Sequence, residues 1–181
     1  MPDYYEQTVV QQIIPDADMT PLERLLLGKI FQSERVNDGW HFFAEDNPAV
    51  MITVLRSELD QALAAPHDRG NSAYRCVIEQ METAEPGAVE IDLDLSTTSW
   101  EFFLQDIVKR STTLTYISVV VAFTCSRMRP DGFGGMAILI TPAAIVGKST
   151  GDFLEDMIAE AGLDNEERPG TKTSDSPPAA S

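Results

Sequence analysis

Two apolar runs joined by a glycine- and proline-bearing link constrain this chain more than any other feature. Residues Leu114 to Thr141 read LTYISVVVAFTCSRMRPDGFGGMAILIT, and β-branched and aromatic residues dominate the first arm, as a strand demands. The connection, Ser126 to Gly135, holds Pro130-Asp131-Gly132 and Gly134-Gly135, residue types that reverse a chain or permit unusual backbone angles. A long β-hairpin is expected. In its first arm Ile117, Val119, Val121, Phe123 and Cys125 share one face, with Ser118, Val120, Ala122 and Thr124 on the other. Such apolarity on both faces predicts a central strand covered on both sides.

The link also carries Arg127 and Arg129, which contrast with a formal net charge of −16. With 29 acidic against 13 basic residues and a pI near 4.3, the field of the molecule opposes direct binding to DNA, RNA or an anionic membrane. A basic protein partner is the easier match. The two cysteines, Cys76 and Cys125, form no CxxC pair and no disulfide framework, and read as buried free thiols. The N-terminal MPDYYEQTVV lacks a basic segment followed by an apolar one, and no run approaches the roughly 18 apolar residues of a membrane span. A cytoplasmic protein is expected.

At 181 residues and 43% hydrophobic content the chain suits one core. A short strand is read at 8–14, ended by Pro15. Thr20-Pro21-Leu22-Glu23 combines an N-cap, a proline at the first helical position and a glutamate that closes a capping box, so a helix runs from Pro21 to about Gln32. Asn37-Asp38-Gly39 is turn chemistry, followed by strands at Trp40 to Ala44 and Val50 to Leu55. Short helices follow, from Ser57 to Ala65 and from Ser72 to about Thr83. In the next strand Val89, Ile91, Leu93 and Leu95 alternate strictly with Glu90, Asp92 and Asp94, giving one core face and one row of carboxylates. Thr98-Ser99-Trp100-Glu101 reads as a second capping box for a helix to about Arg110. After the hairpin, a helix is expected from about Ser149 to Ala161. The fold class is α+β: a single domain over 1–163, mainly antiparallel sheet with helices packed on it. Residues 164–181, DNEERPGTKTSDSPPAAS, have the composition of a disordered tail.

Gly147-Lys148-Ser149 is placed between a strand and a helix, as in a phosphate-binding loop. The first glycine of that pattern is replaced by Pro142, and Ala143-Ala144-Ile145-Val146 is too bulky for a phosphate cradle, so helix capping by Ser149 or Thr150 is the plainer reading. His41 and His67 are too few and too separated for a zinc site, and although either could in principle pair with Cys76 or Cys125 as thiol and base, nothing local favours it over a packed or surface histidine. The carboxylates Glu90, Asp92 and Asp94 read as a solvated strand face, as oxygen ligands awaiting partners from elsewhere, or as one edge of a surface imitating nucleic-acid phosphates. Glu79, Glu82, Glu155, Asp156 and Glu160 are the candidates to extend that surface. Arg127 and Arg129 are the candidate anion or ligand site, or else pair with the chain's own acids.

Asp92-Leu93-Asp94-Leu95-Ser96 resembles the first motif of the haloacid dehalogenase phosphatases, and Lys148 with Gly151-Asp152 and Asp156 resembles their later motifs. The resemblance implies a magnesium-dependent phosphate-ester hydrolase with Asp92 as nucleophile, Asp94 as general acid/base, Lys148 as charge clamp, and Asp152 and Asp156 as metal ligands. Glu90 and the wet face of the strand depart from that family's buried parallel strand. Over most of its length the chain also resembles a family of accessory proteins on mobile elements of alphaproteobacteria, through DADMTPLERLLL at Asp16 to Leu27 and CSRMRPDGFGGMAILIT at Cys125 to Thr141. That resemblance implies a bacterial, cytoplasmic setting and action against host defence or in transfer, with no activity attached.

The leading expectation is a non-enzymatic acidic binding protein, an inhibitor or regulator that mimics nucleic acid toward a basic DNA- or RNA-binding host or defence protein. Its partner-binding residues would be Glu90, Asp92, Asp94, Glu155, Asp156 and Glu160, with no catalytic set, metal or cofactor. The alternatives are the phosphate-ester hydrolase and a sensor of a small anionic ligand at Arg127 and Arg129.

Overall fold

In the computed structural model of the chain, which describes residues 3–65, 70–130 and 132–163, the hairpin forms the middle of a seven-stranded antiparallel sheet. Its arms are β7 (Ile117–Cys125) and β8 (Gly134–Ile140), paired from Ile117↔Ile140 to Phe123↔Gly134. On one side β7 takes β1 (Tyr4–Val10), and on the other β8 takes β9 (Ile145–Ser149). β4 (Gly39–Ala44) carries β3 (Gln32–Val36) along one edge. Its opposite edge takes β2 (Ile14–Pro15) and β1 in succession.

The strand expected at 8–14 is thus two pieces separated by a short break. Gln12 spans that break: its side chain accepts from the Ser118 N–H at 2.7 Å and donates to Ser118 Oγ at 3.1 Å. β3 and β9 are unexpected strands. QSERV lacks an apolar face, and the strand comes from pairing with β4 across the Asn37–Gly39 turn, where Asn37 takes φ 52°, a left-handed angle that asparagine tolerates. Gly147, Lys148 and Ser149 lie on β9, with Ser149 its last residue before α5, so they do not form a phosphate loop.

Thr8, Val10, Phe42, Ala44, Ile117, Val119, Val121, Ile138 and Ile140 line the buried face of this sheet. Full cover on both sides of β7 is not found among the described residues: Val120 is 48% exposed and its neighbour Leu139 44%, with Val9 and Val146 also exposed. Among the described residues this apolar sheet face is only partly covered, with Ser118, Ala122 and Thr124 of β7 half-buried.

The buried face packs on α1 (Pro21–Ile30) and α4 (Trp100–Arg110). The Thr20 capping box forms in full, with the Glu23 N–H donating to Thr20 Oγ1 at 3.2 Å and the Thr20 N–H to Glu23 Oε2 at 2.8 Å. The second expected box does not form. Ser99 holds the N-cap position of α4 without accepting from the helix backbone, and its hydroxyl donates to the Glu101 carboxylate instead. On the other side of α1 lie α2 (Arg56–Ala64), α3 (Ser72–Thr83) and a second sheet of two strands, β5 (Met51–Leu55) and β6 (Glu90–Asp94). Cys76 and Cys125 are buried free thiols.

The chain divides into two units, at Thr150. In the second, α5 (Thr150–Glu160, only its first residue in the first unit) is amphipathic: Phe153, Leu154, Met157 and Ile158 stand against Asp152, Glu155, Asp156 and Glu160. None of its residues is buried. Among the described residues no helix is long and apolar enough to cross a membrane. The expected tail at 164–181, His67 and Asp131 lie outside the described residues.

Candidate functional site

The two-stranded sheet turns one face inward and one outward, as strand alternation requires. Ile52, Val54, Ile91 and Leu93 point into the core, each 5% exposed or less. Outward, the register places Met51 beside Asp94, Thr53 beside Asp92 and Leu55 beside Glu90. Three carboxylates therefore run parallel to a row of two apolar side chains and one hydroxyl. Same-face residues two apart on a strand lie roughly 6.6 to 6.8 Å apart, so the charges form an evenly spaced line. Met51 is 57% exposed and Leu55 40%, and Val50 and Val89, just outside the paired residues, are exposed as well.

The neighbouring polar groups hold the ribbon in place without neutralising it. Thr53 Oγ1 donates to Asp92 Oδ1 at 2.6 Å. The Ser96 N–H donates to Asp94 Oδ1 at 2.8 Å, and this backbone hydrogen bond holds the Asp94 carboxyl below its ordinary range. Gln80 on α3 clasps the backbone of the same residue, accepting from the Asp94 N–H at 2.6 Å and donating to its carbonyl at 2.9 Å. Arg56 is the nearest anchored cation in sequence to β5, but it donates to the Ala88 and Glu85 carbonyls, at 2.9 and 3.4 Å. None of Glu90, Asp92 and Asp94 forms an ion pair among the described residues. Between the end of α3 and β6 opens a cleft of about 380 Å³, whose lining includes Gln80, Glu85, Ala88, Glu90 and Asp92. Its acids suit an ammonium or guanidinium group.

The other sequence candidates fall elsewhere. Lys148 lies on β9, in a different sheet from Asp92 and Asp94, while Asp152, Glu155, Asp156 and Glu160 belong to the second unit. Among the described residues no group of three or more His, Cys, Asp or Glu side chains converges as a metal site would require. His41 lies on β4 with its ring 5.5 Å from that of Phe43. Arg127 and Arg129 are exposed at the hairpin tip around Met128, which is 90% exposed. The Arg127 side chain pairs with no acid among the described residues, so it does not brace the fold as an internal ion pair.

Sequence reasoning found the carboxylates but missed Met51, Thr53, Leu55 and Gln80. The signal for the first three was present: a strand reading MITVL with Ile52 and Val54 inward must turn Met51, Thr53 and Leu55 outward. What periodicity could not supply was the partner strand, 39 residues away for Thr53 and Asp92. Comparison of the chain with protein-family models, with curated proteins and with solved structures found no match.

Proposed function

We propose that this protein binds a basic protein surface through the outward face of β5 and β6. The observation that carries the reading is the register itself: Glu90, Asp92 and Asp94 stand beside Leu55, Thr53 and Met51, and none of the three acids has an internal counter-ion among the described residues. Lysine and arginine have apolar stems and charged heads. A partner's stems would lie along Met51 and Leu55 while the heads reach the carboxylates, and one head would enter the acidic cleft beside Glu85. Long-range attraction by the −16 charge would speed encounter, and the apolar row would slow dissociation. The partner class that fits is a DNA- or RNA-binding protein, whose basic site the acidic line would occupy in place of phosphates.

The test is displacement of labelled duplex DNA from a panel of basic DNA-binding domains, with direct affinities taken across a salt series. Affinity should fall steeply as salt rises, and the triple variant Glu90→Gln, Asp92→Asn, Asp94→Asn should bind about tenfold or more weakly, equivalent to about 1.4 kcal/mol. No binding at low salt, or a triple variant that binds as tightly as the unaltered protein, overturns the reading.

A further inference from the structure

We propose a second site, of opposite sign, in the cleft between α1 and the β3–β4 hairpin: it takes a small planar aromatic ring bearing one anionic head. The cleft encloses about 290 Å³, with Arg24, Gly28 and Lys29 on the α1 side and Ser33, Trp40 and Phe42 on the hairpin side. That volume is at the small end for ligand pockets. Arg35, the cross-strand neighbour of Trp40, sets its guanidinium 5.5 Å from the indole centroid. Two of the 13 cations of an otherwise acidic chain, Arg24 and Lys29, thus line the cleft with Trp40, and a third, Arg35, lies against its indole.

Those cations are only loosely engaged. Arg24 approaches Asp16, and Lys29 approaches Glu58, at 3.8 Å in both cases, with each side chain between 39% and 48% exposed. The exposed Arg24 pair is weak, and in both pairs the separation exceeds hydrogen-bond range, which leaves the buried Glu58 Oε2 facing Lys29 without a hydrogen bond. Asp16 is moreover engaged by the Trp40 indole N–H, which donates to its Oδ1 at 2.8 Å. A ligand anion would therefore find uncommitted donors on Lys29 and Arg24, with the Ser33 hydroxyl opposite them.

Gly28 is the second, independent observation. Glycine inside a helix is unfavourable relative to alanine, and packing does not call for it here: a Cβ at this position would meet no atom closer than Ser33 Oγ, at 4.0 Å. What a side chain at Gly28 would do is fill the cleft. Because the net charge repels any anion at long range, the ring must supply much of the affinity, by stacking on Trp40. An aromatic carboxylate and a nucleoside monophosphate share the required chemistry.

The experiment is calorimetric titration of the full chain with phenylacetate, adenosine 5′-monophosphate, adenosine and inorganic phosphate. Tryptophan fluorescence of a Trp100→Phe variant, in which Trp40 is the sole indole, provides a second reading. Saturable binding of either ring-bearing anion is expected, and which of the two binds tells a carboxylate ligand from a nucleotide. Gly28→Leu, on an exposed helix position, and Arg24→Gln with Lys29→Gln should each weaken that binding about tenfold or more while the protein stays folded. Binding of inorganic phosphate or adenosine alone, absence of binding by both ring-bearing anions, or binding that survives Gly28→Leu unchanged overturns the proposal.

Discussion

Arg110 Nη2 on α4 donates to Glu23 Oε2 on α1 at 2.5 Å, and the Glu23 side chain is completely buried. Its carboxylate also serves the α1 cap through Thr20 and accepts from Asn71 Nδ2 at 3.2 Å, just before α3. One buried charge therefore joins three helices, and Arg110 is its counter-ion. Removing one partner of such a pair leaves an uncompensated charge, at a cost of about 3–5 kcal/mol. Arg110→Met is expected near the lower end, since the Arg110 side chain is 29% exposed. Urea denaturation should show the loss as a lower midpoint with an unchanged slope, and adding Glu23→Gln should restore part of it. A single variant as stable as the original protein would remove the pair from the stabilising set.

The same residues show what the sequence made legible. Thr20, Pro21 and Glu23 announced the start of α1, because a capping box is local chemistry spelled out over four positions. The link from Glu23 to Arg110 spans 87 positions, and no spacing rule reaches that far. Alternation from Val89 to Leu95 gave the inward and outward faces of β6, whereas its partner β5 was set by packing against α1 and α2. β9 was hidden for another reason. An edge strand with a Gly-Lys-Ser segment carries little apolar pattern, and its pairing with β8 is made by backbone groups that every sequence has.

Gln80 replaces a missing strand at the edge of β6. Its amide makes both hydrogen bonds to the Asp94 backbone that a neighbouring strand would make. Gln80→Leu preserves the bulk and removes both bonds, and a loss of about 1–2 kcal/mol is expected. Hydrogen exchange locates the effect: the Asp94 amide should exchange markedly faster while the amides of β7 keep their protection. Equal acceleration across both sheets would mean that Gln80 acts on global stability instead.

Gly39 opens β4 where the chain passes closest to β2. A Cβ there would fall 2.6 Å from the Ile14 carbonyl oxygen and 2.7 Å from Ile13 Cγ2. Backbone has to move to admit it, so Gly39→Ala is expected to cost about 1–3 kcal/mol, the range for forced overpacking. Gly28→Ala makes the contrast, because its Cβ would make only an ordinary contact, with Ser33 Oγ at 4.0 Å, and it replaces a helix-weakening residue; it should stabilise by up to about 1 kcal/mol. Thermal denaturation of the two variants side by side checks both signs.

Asp106 on α4 gives the fold an acid-sensitive joint. Burial alone would push its carboxyl up. The Ser72 N–H, donating to Oδ2 at 2.7 Å at the start of α3, together with the Ser72 hydroxyl and Lys109, outweighs that and holds the carboxyl below its ordinary value. A carboxyl lowered in the folded state favours folding above its unfolded value, about 3.9 for aspartate. That contribution disappears as pH falls through the lower folded value. Stability should therefore drop below about pH 4, in part through this one group. Asp106→Asn should be less stable than the original protein at pH 7, and the difference between the two should shrink steadily once the solution is acidified past that point. Denaturant midpoints of both proteins from neutral to acidic pH measure it, and a difference independent of pH would show that the joint rests on shape and neutral hydrogen bonding rather than on the charge of Asp106.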